Sequence, residues 1–169
     1  RGTRLDLGGF GKGWAVKQAM LRLSKFGPAL VDAGGDIAIS KSFSDGQSWL
    51  VGVDDPLKPG ETKFLLELQN MSVATSGRDR RRWLANGIWQ HHLIDPRTSH
   101  PAATDILTTT ILAPDLTLAE MASKSVLIQG SRDGLRWLEE RPNLTGVMLL
   151  ENGEVITTPQ FEKYIWRKH

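Results

Sequence analysis

The sequence predicts an α+β fold, mainly antiparallel sheets with a few helices packed on them. Short β-rich runs follow one another in hairpin-like succession, and only a few stretches carry helical character. The regular alternation of strand and helix that a doubly wound parallel sheet requires is missing.

Taken in order, Leu5-Asp6-Leu7-Gly8-Gly9-Phe10-Gly11-Lys12-Gly13 reads as a glycine-rich turn that feeds a helix over 12–25. Trp14, Val16, Ala19, Met20 and Leu23 give that helix an apolar stripe, and Gly27 stops it. Short strands at 29–31 and 37–39 flank Asp32-Ala33-Gly34-Gly35-Asp36. Strands follow at 49–53 and 64–68, the first ending in the turn Asp54-Asp55-Pro56. The segment 71–77 leads into an arginine-rich run, and a strand near residue 91 delivers an imidazole before breaking at Asp95-Pro96. Residues 106–113, with three consecutive threonines, are β-rich. Pro114-Asp115 then opens a helix through Gln129, with Gly130 in the C-terminal position. A further helix over 132–140 precedes a strand at 146–150, the turn Glu151-Asn152-Gly153 and a last strand at 155–157.

With 169 residues and 18.7 kDa, the chain is expected to form one domain over 1–169. A chain of this size buries about two-thirds of its unfolded surface and needs no staple. A net charge of +2 is too small for a global basic surface, which argues against a nucleic-acid partner. The absence of cysteine excludes disulfides and thiolate chemistry. No apolar run approaches the ~20 residues that span a membrane, so no transmembrane segment is expected. The sequence opens at Arg1 without a Met, as a fragment or processed product would, and it leaves the compartment and the oligomeric state open.

Chemistry concentrates in His91-His92-Leu93-Ile94-Asp95-Pro96-Arg97-Thr98, where two imidazoles, a carboxylate and a guanidinium fall within eight residues. Strand neighbours point to opposite faces, so only one of the two histidines shares a face with Ile94. The bland alternative is an Asp-Pro turn after a strand whose histidine merely packs. The glycine-rich turn would let backbone approach a ligand and present helix N–H groups to an anion. It matches neither a Walker A loop nor the dinucleotide-binding spacing, and a tight turn without a ligand reads equally well. Arg78, Arg80, Arg81 and Arg82 with Trp83 could grip phosphate or nucleic acid, although the commoner fate of such a run is a solvated face.

Four of these segments, in this order and spacing, resemble the C-terminal two-thirds of ApbE-type flavin transferases (FAD:protein FMN transferases, also known as thiamine-biosynthesis lipoproteins). They are Asp6-Leu7-Gly8-Gly9-Phe10-Gly11-Lys12-Gly13-Trp14-Ala15, Asp32-Ala33-Gly34-Gly35-Asp36-Ile37, Ala74-Thr75-Ser76-Gly77, and His91 through Ser99, with Ser99 where glycine is usual. The resemblance implies an ApbE-like, T-fold-like architecture. It also implies an enzyme that splits FAD, attaches FMN through a phosphoester to a Thr or Ser of an acceptor protein, and releases AMP with Mg2+ assisting. Carried onto this sequence, it assigns Asp6, Gly8, Lys12, Thr75, Ile94 and Lys124 to FAD binding. It assigns His92 and Asp95 to catalysis, with His92 as base towards the acceptor hydroxyl, and the Gly9 carbonyl and Glu120 to the metal.

The pattern departs from the family in two places. The family's metal helix reads Ala-Asp-Ala-Leu-Ala-Thr, and here it is Ala119-Glu120-Met121-Ala122-Ser123-Lys124. Glu120 and Lys124 are then either an ordinary i,i+4 surface pair or a carboxylate holding an ammonium where the metal would sit, leaving Mg2+ weak or replaced. Second, the family's N-terminal third is expected to be absent. Many relatives are lipid-tethered outside the cytoplasm, and this sequence leaves the cell envelope and the cytoplasm both open. A non-catalytic FAD- or FMN-binding module is the main alternative function, and a nucleic-acid-binding domain built on residues 78–82 is a further one.

Overall fold

The computed structural model describes Gly2, residues 5–40, Phe43 and residues 46–168. Arg1, where the sequence opens, and His169, the last residue of its tail, lie outside the described residues. The architecture is α+β, as the sequence predicts. Its centre is a six-stranded sheet in the order β1 (Leu30–Asp32), β2 (Ile37–Ile39), β5 (Ser72–Gly77), β10 (Ile106–Ala113), β11 (Thr145–Leu150), β12 (Val155–Thr157). Every neighbouring pair in it is antiparallel.

The sheet is covered on both faces, which is why β10 is buried at all eight positions instead of alternating. One face carries helices α1 (Gly11–Leu23), α2 (Leu116–Gln129) and α3 (Ser131–Glu139). Ala38, Ala74, Ile111, Leu116, Val126 and Leu138 join there in one apolar cluster. On the other face, the hairpin of β3 (Trp49–Asp54) and β4 (Thr62–Leu68) packs Val51, Val53, Leu66 and Leu68 against Ile37, Val73, Leu112 and Val147. Phe161, in a 3-10 helix over Phe161–Tyr164, closes this second core.

Helix α2 begins and ends where its capping residues predict. The Asp115 side chain accepts the Leu118 N–H at 3.2 Å, and Gly130 leaves the helix at φ +84°. Helix α1 departs from expectation. Only Gly13 and Val16 are buried in it, with Met20 packed on the core, while Trp14 and Leu23 of the expected stripe stay 57% and 51% exposed. Two small hairpins are added to the expected set. β6 (Arg82–Ala85) and β7 (Ile88–His91) turn at Asn86-Gly87, both at positive φ. β8 (Ile94–Asp95) pairs with β9 (His100–Pro101). Among the described residues, no helix is long and apolar enough to cross a membrane.

Candidate active site

The site forms where the N-terminal turn of α1 meets the middle of α2. The Asp6 carboxylate accepts the Gly8 N–H at 2.7 Å, and the Leu7 carbonyl accepts N–H groups from Phe10 and Gly11, so the glycine turn folds directly onto the helix start. Gly8 and Gly9 lie exposed in this turn. Two residues into α1, the Gly13 N–H donates to Glu120 Oε2 at 2.7 Å. A Cβ on Gly13 would lie 2.7 Å from that oxygen and 3.0 Å from the Leu116 carbonyl, so glycine is what lets the two helices touch here. Glu120 is 1% exposed. Its other oxygen, Oε1, holds Lys124 Nζ at 2.8 Å.

Lys12 reaches from the same turn of α1 to Asp36, with Nζ 2.6 Å from Oδ2. Asp36 is buried, and burial raises its pKa against the pull of Lys12; the charges of Glu120 and Lys124 also reach it. Its loop is organised by Asp32, which accepts the Gly35 N–H at 2.8 Å, with Gly34 and Gly35 both at positive φ. The sequence motif here was visible, but its assignment stopped short of Asp36 as a site residue. The buried carboxylate after a glycine pair is the signal that marks it.

The two histidines divide as strand neighbours must. His91 is buried and fully bonded: Nδ1 accepts the Leu93 N–H at 3.3 Å, and Nε2 donates to the Ala102 carbonyl at 3.1 Å. This fixes a neutral tautomer, and burial lowers its pKa. His92 points outward. Partial burial lowers its pKa first, followed by the charges of Arg81, His91 and Lys124, opposed by a hydrogen bond to the Arg81 carbonyl. The His92 imidazole therefore lies in the field of Lys124 and is neutral near pH 7.

Other residues singled out in the sequence make contacts of their own. Asp95 is buried and committed to its own loop: it accepts the Arg97 N–H at 2.9 Å and forms a two-pronged pair with the Arg97 guanidinium, at 2.9 Å through Nε and 2.7 Å through Nη2. These bonds hold its carboxyl below the ordinary 3.8. The Asp95 carbonyl takes N–H groups from Thr98 and Ser99, and Ser99 sits at φ +62°, the left-handed region that makes glycine the usual residue there. Ile94 is 47% exposed. Thr75 shares a 2.8 Å hydrogen bond with Thr110, while its neighbour Ser76 bonds Ser123 of α2 at 2.7 Å. Thr75 thus faces away from α2, on the opposite side of the sheet.

The arginine run is split among separate tasks. Arg78 turns inward to the Ile106 and Thr104 carbonyls and pairs with Glu151 at 2.7 Å, Arg80 pairs with Asp54, and Arg82 lies over the Trp89 ring. The set no longer forms one open basic face.

The residues present do not fit Mg2+. That ion demands near-octahedral oxygen ligands at about 2.1 Å and retains waters. Both Glu120 oxygens already receive N–H donors, Asp36 is bonded by Lys12, and an ammonium stands beside the main carboxylate. Among the described residues, no group of three or more His, Asp or Glu side chains could hold a metal ion.

Comparison with known proteins identifies relatives of this chain. Residues 1–149 match the model of the ApbE family. An FAD:protein FMN transferase of Treponema pallidum is 32% identical over 165 residues, covering 91% of this chain and 46% of the relative. That of Haemophilus influenzae is 29% identical over 157 residues, covering 89% and 45%. The crystal structure of the ApbE protein from Thermotoga maritima superposes with a TM-score of 0.85 at 29% identity, covering 97% of this chain and 54% of that one. The flavinyl transferase ApbE of Pseudomonas stutzeri, at 24% identity and a TM-score of 0.78, shares the fold. The chain spans about half the length of the curated relatives it matches. With the family model covering most of its length, the chain belongs to the ApbE family.

Proposed function

We propose that this chain carries the flavin-transfer site of an FAD:protein FMN transferase. The observation that carries the reading is the meeting of the α1 turn with Glu120 and Lys124, which sets ammonium groups beside an exposed glycine turn, with the Lys124 charge reaching the His92 imidazole. Relatives bearing that activity in their names support it.

In this reading the hydroxyl oxygen of an acceptor Thr or Ser attacks the FMN phosphorus of FAD. The new phosphoester bond forms as the P–O bond to the AMP phosphate breaks, and AMP leaves with the electron pair. The hydroxyl proton passes to His92, whose lowered pKa leaves it free to accept. Lys12 and Lys124 face the charge spread over the phosphate oxygens, and the exposed Gly8–Gly9 turn admits the diphosphate close to the backbone. Phosphoryl transfer requires chiefly positioning and charge neutralisation, which these groups supply. Asp95 acts by shaping the loop that carries His92 and Ile94, through its pair with Arg97.

A second reading, a module that binds FAD or FMN without turnover, is favoured by the poor fit of the donor set to Mg2+. One experiment separates them. Incubating the purified protein with FAD and a Thr-containing acceptor, with Mg2+ and again with EDTA, should place covalent fluorescent flavin on the acceptor and release AMP. Flavin bound without AMP release under either condition would select the binding module.

A further inference from the structure

Resting on the flavin-transfer reading, we propose that the Lys124 ammonium is the resident cation of the site, and that the protein binds the diphosphate of FAD without a divalent metal. Lys124 is built in rather than loosely placed. Its Nζ lies 2.8 Å from Glu120 Oε1, and Glu120 is itself locked from the other side by the Gly13 N–H at 2.7 Å. The carboxylate lies close against α1, where a Cβ on Gly13 would come within 2.7 Å of Oε2.

The burial is asymmetric in the useful sense. The Glu120 side chain is 2% exposed and that of Lys124 is 25% exposed, so the negative partner is sealed and the positive one reaches the surface. Lys12 repeats the arrangement on Asp36, with side chains 45% and 4% exposed. Each pair therefore offers an ammonium outward over a buried carboxylate. An ammonium is a compact point charge with three donors, able to meet phosphate oxygens without a defined coordination geometry. A threonine at position 124 would be neutral, so lysine adds one positive charge where a metal would otherwise bring two. A divalent ion approaching Glu120 would have to displace that ammonium.

The test uses the purified protein as it stands. Mg2+ is titrated in by calorimetry, and FAD affinity is read by flavin fluorescence in EDTA and in Mg2+. The expected results are no stoichiometric Mg2+ binding and an FAD affinity that EDTA leaves unchanged. In EDTA, Lys124→Thr and Lys124→Met should each weaken FAD binding about tenfold or more. Added Mg2+ should recover binding only in Lys124→Thr, which restores an oxygen ligand. One Mg2+ bound per wild-type chain, or FAD binding that EDTA abolishes, would overturn the proposal and leave flavin transfer standing. Unchanged FAD affinity in Lys124→Met would overturn it as well. FAD that binds under neither condition would remove the flavin-transfer reading itself, and this inference with it.

Discussion

Helix α2 is approached by two other helices, and it receives both at a glycine. On α3, a Cβ at Gly134 would fall 2.9 Å from Val126 Cγ1 and 3.0 Å from the Val126 carbonyl. On α1, a Cβ at Gly13 would fall 2.7 Å from Glu120 Oε2 and 3.0 Å from the Leu116 carbonyl. The backbone device is the same, but the chemistry differs. The α3 crossing seals Val126, Leu127 and Leu138 into the apolar core, where close approach serves only packing. The α1 crossing seals a carboxylate, bonds it to a backbone N–H and leaves an ammonium facing out. The same packing therefore builds apolar core at one crossing of α2 and the candidate site at the other.

This contrast can be broken experimentally. The largest effect belongs to His92→Gln, on the α1 side. Flavin transfer should fall roughly 100-fold or more, as expected for loss of a general base. The urea midpoint should stay put, because the His92 side chain is outside the core. A variant that unfolds would move the histidine from chemistry to structure.

Glu120→Gln follows. It weakens the charge-assisted hydrogen bond to the Lys124 ammonium, and stability should drop by about 2 kcal/mol in urea denaturation. A loss within error of zero would mean that the pair is an ordinary surface contact.

The two glycines make the sharpest contrast. Gly13→Ala and Gly134→Ala should each cost about 1–3 kcal/mol through overpacking. Only Gly13→Ala should also weaken FAD binding, since only there does the displaced atom belong to Glu120. Equal effects on FAD would erase the distinction between the two crossings.

The smallest effect is on pH. His91 and His92 both have folded pKa values below the ordinary 6.5, so the unfolded chain takes up protons first as pH falls. Their contribution to stability is present above 6.5 and is lost as pH drops from there towards the lowered values. Asp36, with its raised pKa, works in the opposite sense as it takes up a proton. The urea midpoint should fall between pH about 7.5 and about 5.5, and should fall less in His91→Gln.

Much of the fold was legible because local chemistry agreed with it. The ends of α2 could be read from Asp115 and Gly130, whose side chain and backbone do the capping. The central strand β5 was harder to see, because Ser72, Ala74, Ser76 and Gly77 carry little strand preference. It is made a strand by β2 and β10 on either side. Asn86-Gly87 held a hairpin signal, but the arginines before it read as a solvated face. Trp14 misled by periodicity alone, since α1 turns Gly13 inward beside the expected Val16 and Met20 and leaves Trp14 exposed. At the site, the residue types were readable and their partners were not. The contacts Gly13 to Glu120 and Lys12 to Asp36 join segments far apart in sequence, and no local pattern encodes them.

In the proposed function, the α1 turn, the middle of α2 and His92 form one binding site. Amide resonances followed during FAD titration test this directly. Gly9, Gly13, His92 and Lys124 should shift together along one saturation curve. Shifts confined to the β6–β7 hairpin, with those four amides unmoved, would contradict it.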